Sequence, residues 1–198
     1  MTRLVLASAS TIRSQMLSGA GVPHLVDPVP VDEDAVKAAL LAEAAPPRDI
    51  ADALAEIKAL RAAQKHPDAL VLGCDQVLVL DKQLLSKAAN LDEARDHLRL
   101  LRGKAHELMS AAVIFEDGRP VWRHIGRAQL IMRPFSDAFI DAYVARNGDD
   151  LLATVGAYKL EGDGANLFTR VQGDYFSVLG LPLLEVLEFL RSREVILT

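Results

Sequence analysis

Three short stretches and a pair of lysines carry the residues able to do chemistry. In Ser8-Ala9-Ser10-Thr11-Ile12-Arg13, two hydroxyls and an arginine stand where an apolar run gives way to a helical pattern. Free N–H groups and the positive dipole end of a helix face any anion at such a turn. Hydroxyls add donors, and a guanidinium fork matches phosphate oxygens. The same residues equally suit a plain helix start with Ser10 as its cap. Val31-Asp32-Glu33-Asp34 sets three acids before a second helical stretch. One or two such carboxylates can hold Mg²⁺ while the metal keeps its waters, or the triplet merely complements a helix dipole, as Asp34 is expected to do. Gly73-Cys74-Asp75-Gln76 follows the apolar Leu70-Val71-Leu72 and is predicted to close a strand. A carboxylate there sits at the mouth of an α/β sheet, ready to ligate metal or take a proton from water. A turn residue bonded to its own backbone is the alternative. Lys58, at the rim of an apolar helix face, and Lys87, in a loop after Leu84-Leu85-Ser86, are either anion contacts or snorkelling side chains. Arg102, Lys104 and His106 read as a solvated turn outside the site. His66, His97 and His124 lack the mutual spacing of zinc ligands.

The elements that must position these groups alternate along the chain. Leu4 to Ala7 reads as a buried strand, and a helix from Thr11 to Ala20 has Ile12, Met16 and Leu17 on one face, closed by Gly19 and Gly21. A strand over 24–28 precedes helices over 34–44 and 49–65, separated by Pro46-Pro47. Strands are predicted over 70–73 and 77–80, and a helix capped by Asn90 runs to Leu101. Strands over 106–115 and 121–132 join through Glu116-Asp117-Gly118-Arg119, a tight-hairpin signal. Ser136 caps a helix ended by Asn147-Gly148, and a glycine-rich stretch from Gly156 to Gly173 leads to Pro182 at the start of a last helix. Interspersed strands and helices make this an α/β chain with a mixed sheet.

The 198 residues suit a single domain, 1–198, with no linker, repeat or low-complexity tract to divide it. No apolar run is long enough to span a bilayer, and the single Cys74 suits a reducing compartment, so a cytoplasmic protein is expected. A net charge of −5 argues against nucleic-acid polymers and anionic membranes as partners. A polyanionic ligand would therefore need cations gathered in one place.

In order and spacing these fragments resemble the Maf family of nucleotide pyrophosphatases across nearly the whole chain. The resemblance runs through Leu6-Ala7-Ser8-Ala9-Ser10-x-x-Arg13, Asp32-Glu33, Ala55-x-x-Lys58-Ala59, Gly73-x-Asp75 and the Lys87 loop. It continues through Gly156-Ala157-Tyr158, Glu161-Gly162-x-Gly164 and Gly173-Asp174-Tyr175-x-x-Val178-x-Gly180-Leu181-Pro182. It implies a twisted mixed sheet flanked by helices, two lobes around a deep cleft, and often a homodimer. It implies hydrolysis of a nucleoside triphosphate to monophosphate and pyrophosphate with a divalent cation, Mg²⁺ first among them. Carried over by residue, Asp75 is the general base and a metal carboxylate, and Glu33 the second acid at the metal. Ser8, Ser10, Arg13, Lys58 and Lys87 become the phosphate contacts.

The resemblance places base preference at three further positions, of which Ile12 matches neither branch. Ile12, Gln76 and Glu161 replace the residues usual in members acting on dTTP and UTP, and Gln76 with Glu161 looks like the branch acting on 7-methyl-GTP. A glutamate can accept hydrogen bonds from the N1 and N2 donors of guanine. Thr11 and Ala88 stand where prolines are usual, so the Lys87 loop is expected to be less rigid, and Ser177 stands where asparagine is common. The competing readings are a dTTP/UTP pyrophosphatase and a nucleotide-binding regulator of cell division with little catalysis.

Overall fold

The apolar runs pair into a seven-stranded mixed sheet in the computed structural model, which describes residues 3–197. In chain order the elements are β1 (Arg3–Leu6), α1 (Thr11–Gly19), β2 (His24–Val26), α2 (Glu33–Ala42), α3 (Pro47–Ala63), β3 (Ala69–Leu80), β4 (Gln83–Leu85) and α4 (Leu91–Leu101). There follow β5 (Ala105–Glu116), β6 (Arg119–Met132), α5 (Asp137–Asn147), β7 (Phe168–Gln172), α6 (Tyr175–Val178) and α7 (Leu183–Ser192). Two 3₁₀ segments, Gly148–Ala153 and Asp163–Leu167, lie between α5 and β7. The sheet order is β2-β1-β3-β5-β6-β7, with β4 paired to the end of β3. β1 runs parallel to β2 and β3, and every other pairing is antiparallel. No described helix is long and apolar enough to cross a membrane.

β3 organises the molecule. Its side chains alternate between the two sheet faces, as a period of two requires. Leu70, Leu72 and Cys74 join one apolar cluster with α1 and α7, while Leu78 and Leu80, further along the same face, join another with α4 and α5. Gln76 lies between the two clusters on that face. On the opposite face Val71, Val77 and Val79 pack with the alanines of α3, and Asp75 falls in the middle of that row. Each polar residue thus occupies a seam where the apolar packing is interrupted.

This departs from the two short strands expected over 70–73 and 77–80. Cys74, Asp75 and Gln76 pair in register with Ala112, Ala111 and Ser110 of β5, so one strand of 12 residues runs through them. Asp75 is therefore a mid-strand residue and not a strand end. Cross-strand pairing overrides the low strand preference of a local Asp-Gln pair.

The expected hairpin does form. Glu116 pairs with Arg119, and Asp117 and Gly118 both take positive φ (50° and 71°), the requirement of the turn that matches strand twist. The caps on Asn90 and Ser136 form as well: Asn90 accepts from the Glu93 amide at 2.9 Å and Ser136 from the Phe139 amide at 3.2 Å. His106 corrects the solvated turn expected around it. It is 2 % exposed, and its Nε2 lies 2.7 Å from the Tyr158 hydroxyl. Its place on β5 points it into the sheet core, and burial pushes its pKa down to about 4.

Candidate active site

Small residues bring the two halves of the site together. Ala51, Ala55, Ala59 and Ala62 of α3 are fully buried, which lets the helix lie close on β3. The approach is tight at Gly73, where a Cβ would stand 2.1 Å from the Ala55 carbonyl oxygen and 2.6 Å from the Ala59 nitrogen. Only glycine fits, and the close approach puts Lys58, beside Ala59, onto Asp75, two residues beyond Gly73.

Lys58 is the hub. Its Nζ donates to Asp75 Oδ1 at 2.6 Å and lies 2.6 Å from Glu33 Oε1. Asp75 is 5 % exposed, and its other oxygen, Oδ2, is buried without a hydrogen-bond partner. Burial pushes the Asp75 carboxyl above its ordinary value, and Lys58 and Arg13 pull against this without cancelling it. For Glu33 burial also works upward, but the bond and charge of Lys58, with Lys37 and Lys87 beyond, hold it below its ordinary value. Glu33 reaches this position because Asp32 caps α2, accepting from the Ala35 amide at 3.0 Å, and so makes Glu33 the first helical residue. The acidic triplet thus divides its labour, with one member on the cap and one at the site. Arg61 of α3 donates to the Pro30 carbonyl and ties down the segment leading to that cap.

Arg13 is drawn into the framework. Its Nε donates to the Gly180 carbonyl at 2.7 Å, and its Nη1 donates to Ser8 Oγ at 3.0 Å and to the Cys74 carbonyl at 3.2 Å. These bonds join the β1–α1 turn, mid-β3 and the turn before α7. Gly180, at φ +102°, leaves room for the guanidinium: a Cβ there would stand 3.2 Å from Nη2. Ser10 occupies the N-cap position of α1, yet its side chain makes no capping bond, so its hydroxyl is not committed to the helix.

These groups line a cavity of about 470 Å³, together with Lys87, Lys37 and Lys159. Five cationic side chains and two carboxylates face it, a local positive excess in an acidic protein. Of the residues singled out by sequence, Ser8, Ser10, Arg13, Glu33, Lys58, Asp75, Gln76 and Lys87 are brought together here. Lys87 is held by an antiparallel bridge to Val155, and Ala88 next to it is buried. Backbone pairing thus ties down a loop that was expected to be less rigid for want of a proline.

Glu161 lines a smaller adjoining cavity of about 40 Å³, which shares Gln76, Thr154, Val155, Lys159 and Leu179 with the larger one. The Gln76 amide nitrogen donates to Ser110 Oγ (2.9 Å) and faces the Ser177 and Val178 carbonyls (3.2 and 2.9 Å). That network uses the donor end and leaves the carbonyl end uncommitted. Ser177 is buried tightly against Gly126, where any Cβ would meet its hydroxyl at 2.1 Å, so a small residue fits this position. Ile12 is the exception. It lines neither cavity and packs against the apolar cluster of α1 and α7, because the helical turn that aims Arg13 inward carries its neighbour sideways.

Lys37 and Lys159 escaped the sequence reading. Lys37 lies one helical turn after Glu33 on α2, a spacing that puts both on one face. Lys159 directly follows Gly156-Ala157-Tyr158.

Residues 3–193 match the family model described as Maf-like protein. Among curated relatives, a nucleoside triphosphate pyrophosphatase of Ruegeria pomeroyi is 56 % identical over 98 % of this chain and 97 % of its own length. Proteins of the same name from Roseobacter denitrificans and Caulobacter vibrioides are 57 % and 52 % identical, each over 96 % of both chains.

Proposed function

The chain belongs to the Maf-like protein family, and from that premise we propose that it is a nucleoside triphosphate pyrophosphatase that cleaves between the α- and β-phosphates. One observation carries the reading: a buried carboxylate, Asp75, is paired on one oxygen with Lys58 and unpartnered on the other, inside a cation-lined cavity. A buried polar atom without a partner costs free energy unless a ligand, metal or proton satisfies it. In this reading Asp75 takes a proton from the attacking water. The water oxygen bonds to the α-phosphorus, the bond to the bridging oxygen breaks, and pyrophosphate leaves with that oxygen. Ser8, Ser10 and the lysines position the phosphates and offset their charge, which is most of what phosphoryl transfer asks of a protein. Arg13 would act chiefly by holding the β1–α1 turn, β3 and Gly180 in place.

The donor set suits a hard divalent cation. Glu33 and Asp75 meet on one ammonium, so a single cation can reach both, and two carboxylates with no thiolate or imidazole are ligands for Mg²⁺. When bound, the ion would supply Lewis-acid polarisation of a phosphoryl oxygen. Glu33→Gln should accordingly need several-fold more Mg²⁺ to reach its own maximal rate. A Mg²⁺ titration superimposing on that of the wild type would remove Glu33 from the metal.

For the base we propose a guanine type, 7-methyl-GTP first. The smaller cavity has room for a water or so and not for a ring, so the base would sit at the seam with its edge toward Gln76 and Glu161. Both present acceptors there, and a cationic methylated guanine gains from the Glu161 charge as well. Glu161 is exposed, so solvent screening sets its effect at the low end for a charged hydrogen bond. Glu161→Gln should lower the preference for 7-methyl-GTP over GTP by about tenfold. The deciding experiment is pyrophosphate release from 7-methyl-GTP, GTP, dTTP and UTP, with kcat/KM for each. A wild type that prefers dTTP or UTP overturns the base assignment. One that binds triphosphates but releases no pyrophosphate is a regulator.

A further inference from the structure

Most of the cations facing the cavity are already committed by the fold. Lys58 holds two carboxylates at 2.6 Å each. Arg13 spends its Nε and Nη1 donors on three acceptors of the chain itself. Lys159 is paired with Asp150 at 3.0 Å. A triphosphate is strongly anionic, and Asp75 and Glu33 add to the negative charge it would meet. The cavity therefore needs cations that the framework does not already use. Lys87 is one. Lys37 is the other: its Nζ stands 3.8 Å from Glu33 Oε2, at the outer limit of an ion pair, and its side chain is only 17 % exposed.

The position of Lys37 says which part of the substrate it meets. It lines the larger cavity and not the smaller one, where Gln76 and Glu161 stand. Lys159 lines both and so marks the junction between them. With the base edge at Gln76 and Glu161, a cation confined to the larger cavity belongs to the phosphate side of the substrate. The helix that carries it has no buried residue, so packing does not dictate lysine at this position.

We propose that Lys37 is a pyrophosphate-binding residue that contacts the β- and γ-phosphates of the substrate and holds the leaving group as its charge develops. The proposal rests on the pyrophosphatase reading and adds to it a residue and a site for the leaving group.

The test is direct binding of inorganic pyrophosphate and of guanosine monophosphate, by calorimetry at saturating Mg²⁺, to the wild type, Lys37→Met and Lys37→Arg. Methionine keeps the helix preference and the length of the stem while removing the charge. Losing one charge-assisted bond to phosphate should raise the pyrophosphate Kd about tenfold in Lys37→Met. Arginine should restore most of it, and monophosphate binding should stay as in the wild type. Equal pyrophosphate affinity in wild type and Lys37→Met overturns the proposal. So does a parallel loss of monophosphate affinity, which would make Lys37 a general electrostatic or structural element. The pyrophosphatase reading fails separately, if the wild type binds pyrophosphate through Lys37 yet releases none from any triphosphate.

Discussion

Asp75→Asn should lose at least ~10²-fold in kcat, with the fold intact. Asparagine keeps the shape of the side chain and its place in the ladder opposite Ala111, but it cannot accept a proton at neutral pH. The stability side of the same substitution has a definite sign. Burial raises the Asp75 carboxyl in the folded protein, so the folded state holds that proton more tightly than the unfolded chain does. Stability contributed by this group is then greatest in acid and declines as pH rises through the interval between the unfolded and folded values. Removing the ionisable group should leave Tm at neutral pH equal to or above that of the wild type, with the difference fading in acid. Lys58 retains Glu33 as a partner, so no cation is stranded. A variant that keeps most of its kcat would end the role of Asp75 as base. A large drop in Tm at neutral pH would mean that its link to Lys58 is structural first.

Lys58→Met should reduce kcat/KM by about ten- to a hundredfold for every nucleotide offered, because the phosphates and the acids are common to all. It should also move the acid limb of the pH profile. Asp75 must be ionised to act, so the rate falls as pH drops through its pKa. Lys58 is the foremost group pulling that pKa down against burial, and it is also what holds Glu33 low. Without it two carboxylates face each other uncompensated, and both hold protons to higher pH. The acid limb should shift upward, so raising the pH recovers part of the lost activity, and Lys58→Arg should stay near the wild-type profile. A limb that stays in place while activity falls would confine Lys58 to phosphate binding.

Much of this protein was legible in the sequence, for reasons that are local. Apolar periodicity marked the strands and helices, Asp117-Gly118 specified a hairpin because both positions need positive φ, and Asn90 and Ser136 specified caps because a single short side chain satisfies an amide three residues on. The order and spacing of the motif residues pointed to the family, and Gly73-x-Asp75 and Ala55-x-x-Lys58-Ala59 already held both sides of the site. What the sequence could not show depends on partners distant in the chain. Whether Asp75 ends a strand or lies within one was decided by Ala111 on β5. Arg13 became a girder because Gly180, 167 positions away, presents a carbonyl to it. His106 became a core residue because Tyr158 and the sheet enclose it. Ile12 turned away from the site, and Lys37 and Lys159 entered it, because which face of a helix or loop meets the cavity is set by tertiary packing. Residue type and spacing report what chemistry is available. The free energy that assigns each charge to framework or to ligand comes from burial and from neighbours that only the folded chain supplies.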